Sequence, residues 1–171
     1  MDMEARGHSE HPEALRLWLR LLTCTQLVEK QVRTQLREQF DTTLPRFDLM
    51  AQLERNPEGL KMNELSRRMM VTGGNVTGIT DQLVAEGVVE RQEVDGDRRA
   101  YRVRLTALGR QTFDDMARQH EAWIVSAFEA LSPREVESFY KLLGKVKQSQ
   151  QALSLHDKQP GMGLGEKLET V

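Results

Sequence analysis

The chain has one cysteine in 171 residues, which excludes an internal disulfide framework and fits a reducing compartment such as the cytoplasm. Long apolar runs are missing too. No stretch of about 18 uncharged apolar residues occurs, so no membrane span is expected. The N-terminal MDMEARGHSEHPE mixes charges and lacks an apolar centre, which does not fit a signal peptide. Histidines are few and poorly spaced for a metal: His8 and His11 fall in a polar tail, and His120 and His156 stand alone. Gly73, Gly74 and Gly78 are not followed by the Gly-Lys-Ser/Thr of a phosphate loop, and no nucleophile elbow, His-Glu-x-x-His or paired-carboxylate motif appears. Neither catalysis nor a cofactor is expected. An excess of positive charge is also lacking, the formal net charge being −2. Binding to nucleic acid depends less on that total than on where the charges sit.

The placement is uneven. Arg91, Arg98, Arg99, Arg102 and Arg104 crowd into one short segment beside Glu93, Asp95 and Asp97, while acids elsewhere offset the sum. That segment reads as a hairpin: strand-like runs at Val88–Val94 and Ala100–Leu105 flank the turn Asp95-Gly96-Asp97-Arg98-Arg99. Before it, the apolar stripe Val76, Ile79, Leu83 predicts a helix that stops at Gly87. A shorter helix, Met62 to Met70, precedes the turn Val71-Thr72-Gly73-Gly74, in which the glycines are available for positive φ, and Thr72 or Asn75 caps the helix that follows. A helix pair followed by an arginine-tipped hairpin is a winged helix-turn-helix, a shape suited to touching DNA at two places.

Long helices flank this lobe. From Pro12 to about Phe40, the positions Leu17, Leu21, Cys24, Val28, Val32, Leu36 and Phe40 share one face, while Leu15, Trp18, Leu19 and Leu22 add a second. A helix apolar on two sides needs two neighbours, and a second copy of the chain is the expected cover. Cys24, mid-helix on this stripe, is expected to be buried; a reactive thiolate needs exposure and nearby positive charge. Pro45 opens a helix with Phe47, Met50 and Leu53 inward. Thr106 caps another, and Ser132-Pro133-Arg134-Glu135 has the spacing of a capping box. The expected layout is a loose tail at 1–11 and one winged-helix domain at 12–155, with dimerisation helices near 12–40 and 107–153 around a lobe at 44–106. A glycine-rich flexible tail at 156–171 ends it. The fold class is mainly α with a small β-wing.

Asp97-Arg98-Arg99 followed by Leu105-Thr106-Ala107-Leu108-Gly109, together with Asn75-Val76-Thr77 through Asp81, Leu83 and Gly87, resembles the wing and recognition helix of the MarR family of bacterial transcriptional regulators. The resemblance covers roughly residues 12–150. It implies a homodimer on an inverted-repeat operator in double-stranded DNA, usually a repressor, released by a small molecule such as an aromatic carboxylate or its CoA thioester. In such a fold the helix from Gly74 to Glu86 lies in the major groove. Asn75 and Thr77 then face base edges, Thr72 and the amides near Gly74 face phosphates, and Arg67 and Arg68 add phosphate contacts. Arg98 or Arg99 enters the minor groove, with Asp97 orienting one of them. Gly78 stands where relatives often carry a long basic residue, which shifts the expected weight toward the wing and DNA shape. The implied effector pocket involves Arg46, Phe47 and Met50. Two other functions compete: a ligand-independent architectural or protein-binding winged helix, and a thiol redox sensor at Cys24.

Overall fold

Pro12 occupies the first turn of α1 (Pro12–Phe40), where its missing N–H is no loss. The helix ends at Asp41, a left-handed residue with φ of 46°, whose amide donates to the Arg37 carbonyl while that of Thr42 reaches Leu36. The computed structural model describes residues 11–69, 73–94 and 97–156, with backbone alone at 94, 97–100 and 153–156. The remaining elements are α2 (Leu44–Glu54), β1 (Leu60–Lys61), α3 (Met62–Met69), α4 (Gly73–Ala85), β2 (Val89–Val94), β3 (Asp97–Leu105), α5 (Ala107–Ala127) and α6 (Pro133–His156). The chain divides into two compact units after Ala127.

The first unit holds the core. Leu36 of α1, Leu49, Met50 and Leu53 of α2, Leu65 of α3, Val76 and Leu83 of α4, and Val89 and Val103 of the sheet are all nearly inaccessible. Phe113, Met116 and Trp123 of α5 close it, with Phe47 stacked on Phe113 at 5.4 Å between ring centroids. In the second unit, α6 starts at Ser132, whose amide and hydroxyl both donate to the Glu135 carboxylate, at 2.8 and 2.6 Å. Glu135 thereby answers the serine amide as a capping box requires, and these two bonds hold its pKa below the usual carboxylate range.

The sheet is antiparallel in the order β1-β3-β2, with Leu60 opposite Val103 and Val89 opposite Leu105. Its first strand is absent from the sequence reading, since two residues carry no periodicity and the pairing is made across some forty positions. Gly59 prepares it. With φ of +80°, it lies so close to β3 that a Cβ would sit 2.8 Å from the Val103 carbonyl oxygen. The hairpin also begins its return earlier than expected: Asp97, Arg98 and Arg99 belong to β3 rather than to the turn, with a register shift at Glu93/Val94.

Two further expectations change. Gly73 and Gly74 are helical, and the positive-φ glycines among the described residues are Gly59 and Gly87 instead. Asn75 is consequently the third residue of α4 and cannot be its N-cap. Cys24, expected in a packed interior, is exposed in the single chain, in the half of α1 where Leu17 and Trp18 are exposed as well.

Candidate functional site

Helix α4 presents a polar edge because its apolar residues all point one way. Val76, Thr80 and Leu83 are buried, and the Thr80 hydroxyl is satisfied by the Val76 carbonyl at 2.8 Å. Gly73, Gly74, Asn75, Thr77 and Gly78 face outward. The Thr77 hydroxyl donates to the Gly73 carbonyl at 3.0 Å, which leaves its oxygen lone pairs and methyl group for an incoming molecule. A Cβ on Gly73, Gly74 or Gly78 would meet nothing within 4 Å, so no packing within this chain requires a glycine there. The effect of the three is an unusually bare helix edge.

The far end of α4 is fixed by a Schellman arrangement. Gly87, at φ of +74°, donates to the Val84 carbonyl, and Val88 donates to Leu83. Directly behind it, the Thr106 hydroxyl donates to the Gly87 carbonyl at 2.8 Å and accepts the Gly109 amide at 3.0 Å, capping α5. A Cβ at Gly109 would fall 1.8 Å from the Val88 carbonyl oxygen. The Leu-Thr-x-x-Gly motif is therefore a joint: it ties the end of α4, the root of the hairpin and the start of α5 together through the neighbouring carbonyls of Gly87 and Val88.

The hairpin arginines divide in two. Arg91 pairs with Asp81 of α4 and lies over the Tyr101 ring, 5.1 Å from its centroid. Arg104 donates through Nε to Glu90, its cross-strand partner, at 2.5 Å. Arg102 donates to the Gly59 carbonyl at 2.9 Å. Arg91 thus braces the hairpin against α4, Arg102 ties it to the Gly59 carbonyl just before β1, and Arg104 links its two strands. Asp97, Arg98 and Arg99 have their backbone in β3, and their side chains lie outside the described residues, as does Thr72 entirely. Arg67 and Arg68 are exposed at the end of α3 and border a shallow cleft with Glu64. A hydrogen bond from the Lys61 amide holds the Glu64 carboxyl below its usual range.

Behind α4 lies a cavity of about 300 Å³ with walls from α1, α2, α4 and α5. Arg46 and Met50 line it, together with Thr42, Glu86 and Thr112. Phe47 does not: it is turned into the core between Phe113 and His120. Arg46 forms an ion pair with Glu86, just past the last turn of α4. Sequence reasoning missed Glu86, Asp81 and Glu90, since an acid's partner in another element leaves no local pattern; the Glu90–Arg104 pair alone follows once the hairpin register is known.

On α5, His120 packs tilted against Phe47 at 4.8 Å between ring centroids and sits edge-on to Trp123. Burial lowers its pKa, against the opposing pull of Asp48; burial raises that of Asp48, against His120 and Arg33. Among the described residues, no three His, Cys, Asp or Glu side chains gather as metal ligands would, and no helix is long and apolar enough to cross a membrane.

A model described as MarR family matches residues 40–100. A MarR family transcriptional regulator from Silicibacter pomeroyi is 30% identical over 84% of this chain and 99% of its own, with a TM-score of 0.70. The HTH-type transcriptional repressor YetL of Bacillus subtilis is 30% identical over 57% of this chain and 59% of YetL. Sco3205, a MarR family transcriptional regulator from Streptomyces coelicolor whose crystal structure is a complex with DNA, shares the fold at TM-score 0.71 and 21% identity. That match covers 86% of this chain and 92% of Sco3205.

Proposed function

Because the chain belongs to the MarR family of transcriptional regulators, we propose that it is a repressor that binds an inverted-repeat operator as a homodimer and is released by a small aromatic carboxylate or its CoA thioester. The observation that carries this reading is the cavity beside Arg46, which shares a wall with α4 through Leu83 and Glu86. A ligand there bears directly on the helix that faces DNA. The repressor role is supported by the likeness to YetL, and DNA as partner by the complex of Sco3205. The second copy is supported by the apolar residues left exposed on α1 and α6, among them Leu17, Trp18, Leu142 and Val146.

In this assignment Asn75 and Thr77 approach base edges in the major groove, and the backbone beside Gly74 comes close to the duplex. Arg67, Arg68 and Thr72 meet phosphates. Arg98 and Arg99 reach a narrow minor groove, with Asp97 orienting one of them. The bare edge of α4 offers few long arms for direct readout, so the wing carries much of the affinity. Replacing Arg99 with alanine is expected to weaken operator binding by about 1–3 kcal/mol, the range of a well-formed groove contact. Unchanged affinity would remove the wing from the mechanism.

The test is a mobility shift on the DNA immediately upstream of this chain's own coding region, at fixed salt. Aromatic carboxylates and CoA thioesters are then added in turn. A sequence-specific complex dissociated by one of these classes is the expected result. Weak binding that ignores sequence and collapses with salt would favour an architectural protein instead.

A further inference from the structure

Arg46 is held at one end only. Its Nη2 donates to the Glu86 carboxylate, while its Nε, cut off from solvent, has no hydrogen-bond partner. A guanidinium binds most strongly as a planar fork, with two parallel N–H donors on one carboxylate. Here the fork is half used, and the vacant donor belongs to a side chain that lines the cavity.

The two partners are unequally placed. The Arg46 side chain is 19% exposed and that of Glu86 is 48% exposed, so Glu86 clasps a mostly buried cation from the rim. Asp41 also lines the cavity. With Glu86 in place, the charged side chains lining the cavity are one cation and two carboxylates, a balance that repels a further anion. With Glu86 swung into water, Arg46 offers Nη2 to a newcomer at once, and Nε as well once the atoms that shield it give way. An anion thus gains most by replacing Glu86 rather than joining it. Met50, Leu83 and Met116 supply apolar surface for the body of such a ligand, and Thr42 and Thr112 supply polar side chains.

We propose that the Arg46–Glu86 pair is a latch that ties the end of α4 to α2, and that a carboxylate ligand opens it by taking Arg46 away from Glu86. This rests on the effector reading above and adds the chemistry of the switch. Glu86 directly precedes Gly87, the left-handed residue that ends α4. Its release removes the charged tie between the end of α4 and α2, leaving Leu83 in the core and Thr106 on Gly87 as the remaining holds. Ligand and DNA are then coupled through one side chain, and the coupling is reciprocal. A neutral isostere of the ligand lacks the charge to displace Glu86 and leaves the latch shut.

The experiment is a calorimetric titration of the full chain with benzoate, with benzamide as the neutral control, on wild type and Glu86→Gln. DNA affinity is measured in parallel with and without benzoate. The glutamine keeps the shape of Glu86 and removes its charge. Glu86→Gln is expected to bind benzoate about ten-fold more tightly, equal to about 1.4 kcal/mol. It should also bind DNA more weakly before any ligand is added and lose little more on adding benzoate. Benzamide should bind neither protein measurably. Equal benzoate affinity in wild type and variant overturns the latch; if benzoate still dissociates wild type from DNA, the effector reading survives without it. Failure of benzoate to bind either protein also overturns the latch, and the effector reading then depends on the thioesters alone.

Discussion

Leu17 and Leu36 lie on one stripe of α1, about five turns apart, yet Leu17 is 65% exposed and Leu36 not at all. The C-terminal half of the helix is covered by the chain itself, from α2 and α5. The N-terminal half is largely uncovered, with Trp18 and Leu27 exposed beside Leu17. Helix α6 resembles this uncovered half: Tyr140, Leu142 and Val146 are all exposed. The contrast separates two uses of the same amphipathic pattern. One builds the lobe that holds α4 and the hairpin in place, and the other leaves an exposed apolar face, which the proposal assigns to a second copy.

The sharpest way to break this contrast is to shorten both leucines. Leu36→Ala is expected to cost about 3 kcal/mol through lost burial and a residual cavity, measured by urea unfolding and independent of protein concentration. Leu17→Ala should act only where two chains meet, so its effect on unfolding should grow as concentration rises through the association range. Equal, concentration-independent losses would show that α1 is buried alike along its length.

The glycines sharpen the comparison at a finer scale. At Gly109 the Val88 carbonyl occupies the place of a Cβ, so Gly109→Ala must shift backbone and is expected to lose about 2 kcal/mol. At Gly78 the same substitution meets nothing and should gain up to about 1 kcal/mol from helix propensity. Paired thermal melts check the signs; a gain at Gly109 would undo the joint assigned to Thr106 and Gly109.

The smallest effect concerns pH. Burial lowers the pKa of His120 in the folded state, so folding favours the neutral ring. The stability this gives is present above the ordinary histidine pKa near 6.5. It is lost as pH falls from there through the lower folded value, because the unfolded chain binds the proton more readily in that window. Asp48 opposes the shift, so the slope should be modest. His120→Phe should flatten the melting temperature between pH 7 and pH 5; an unchanged slope would place the acid sensitivity elsewhere.

Much of the lobe was legible in the sequence because its signals are local. The stripe Val76, Ile79, Leu83, the stop at Gly87 and the cap at Thr106 each describe one element, as does the Ser132–Glu135 spacing that opens α6 in the second unit. The parts that escaped depend on distant partners. Strand β1 exists through β3, and Arg91, Arg102 and Arg104 brace the hairpin against α4, β2 and the Gly59 carbonyl rather than awaiting a ligand. Arg46 lines a cavity, but its bond to Glu86 joins residues forty positions apart and has no local signature. Cys24 is exposed in the single chain because apolar periodicity shows that a face wants cover without saying which chain supplies it.

Sedimentation of the full chain, alone and with a duplex carrying the upstream inverted repeat, tests the central claim most directly. Two chains per particle in solution and two per duplex are expected, with the N-terminal half of α1 and α6 as the joined surfaces. A single chain that occupies one half-site with undiminished affinity would contradict the assignment of those apolar faces to a second copy, and with it the dimeric repressor.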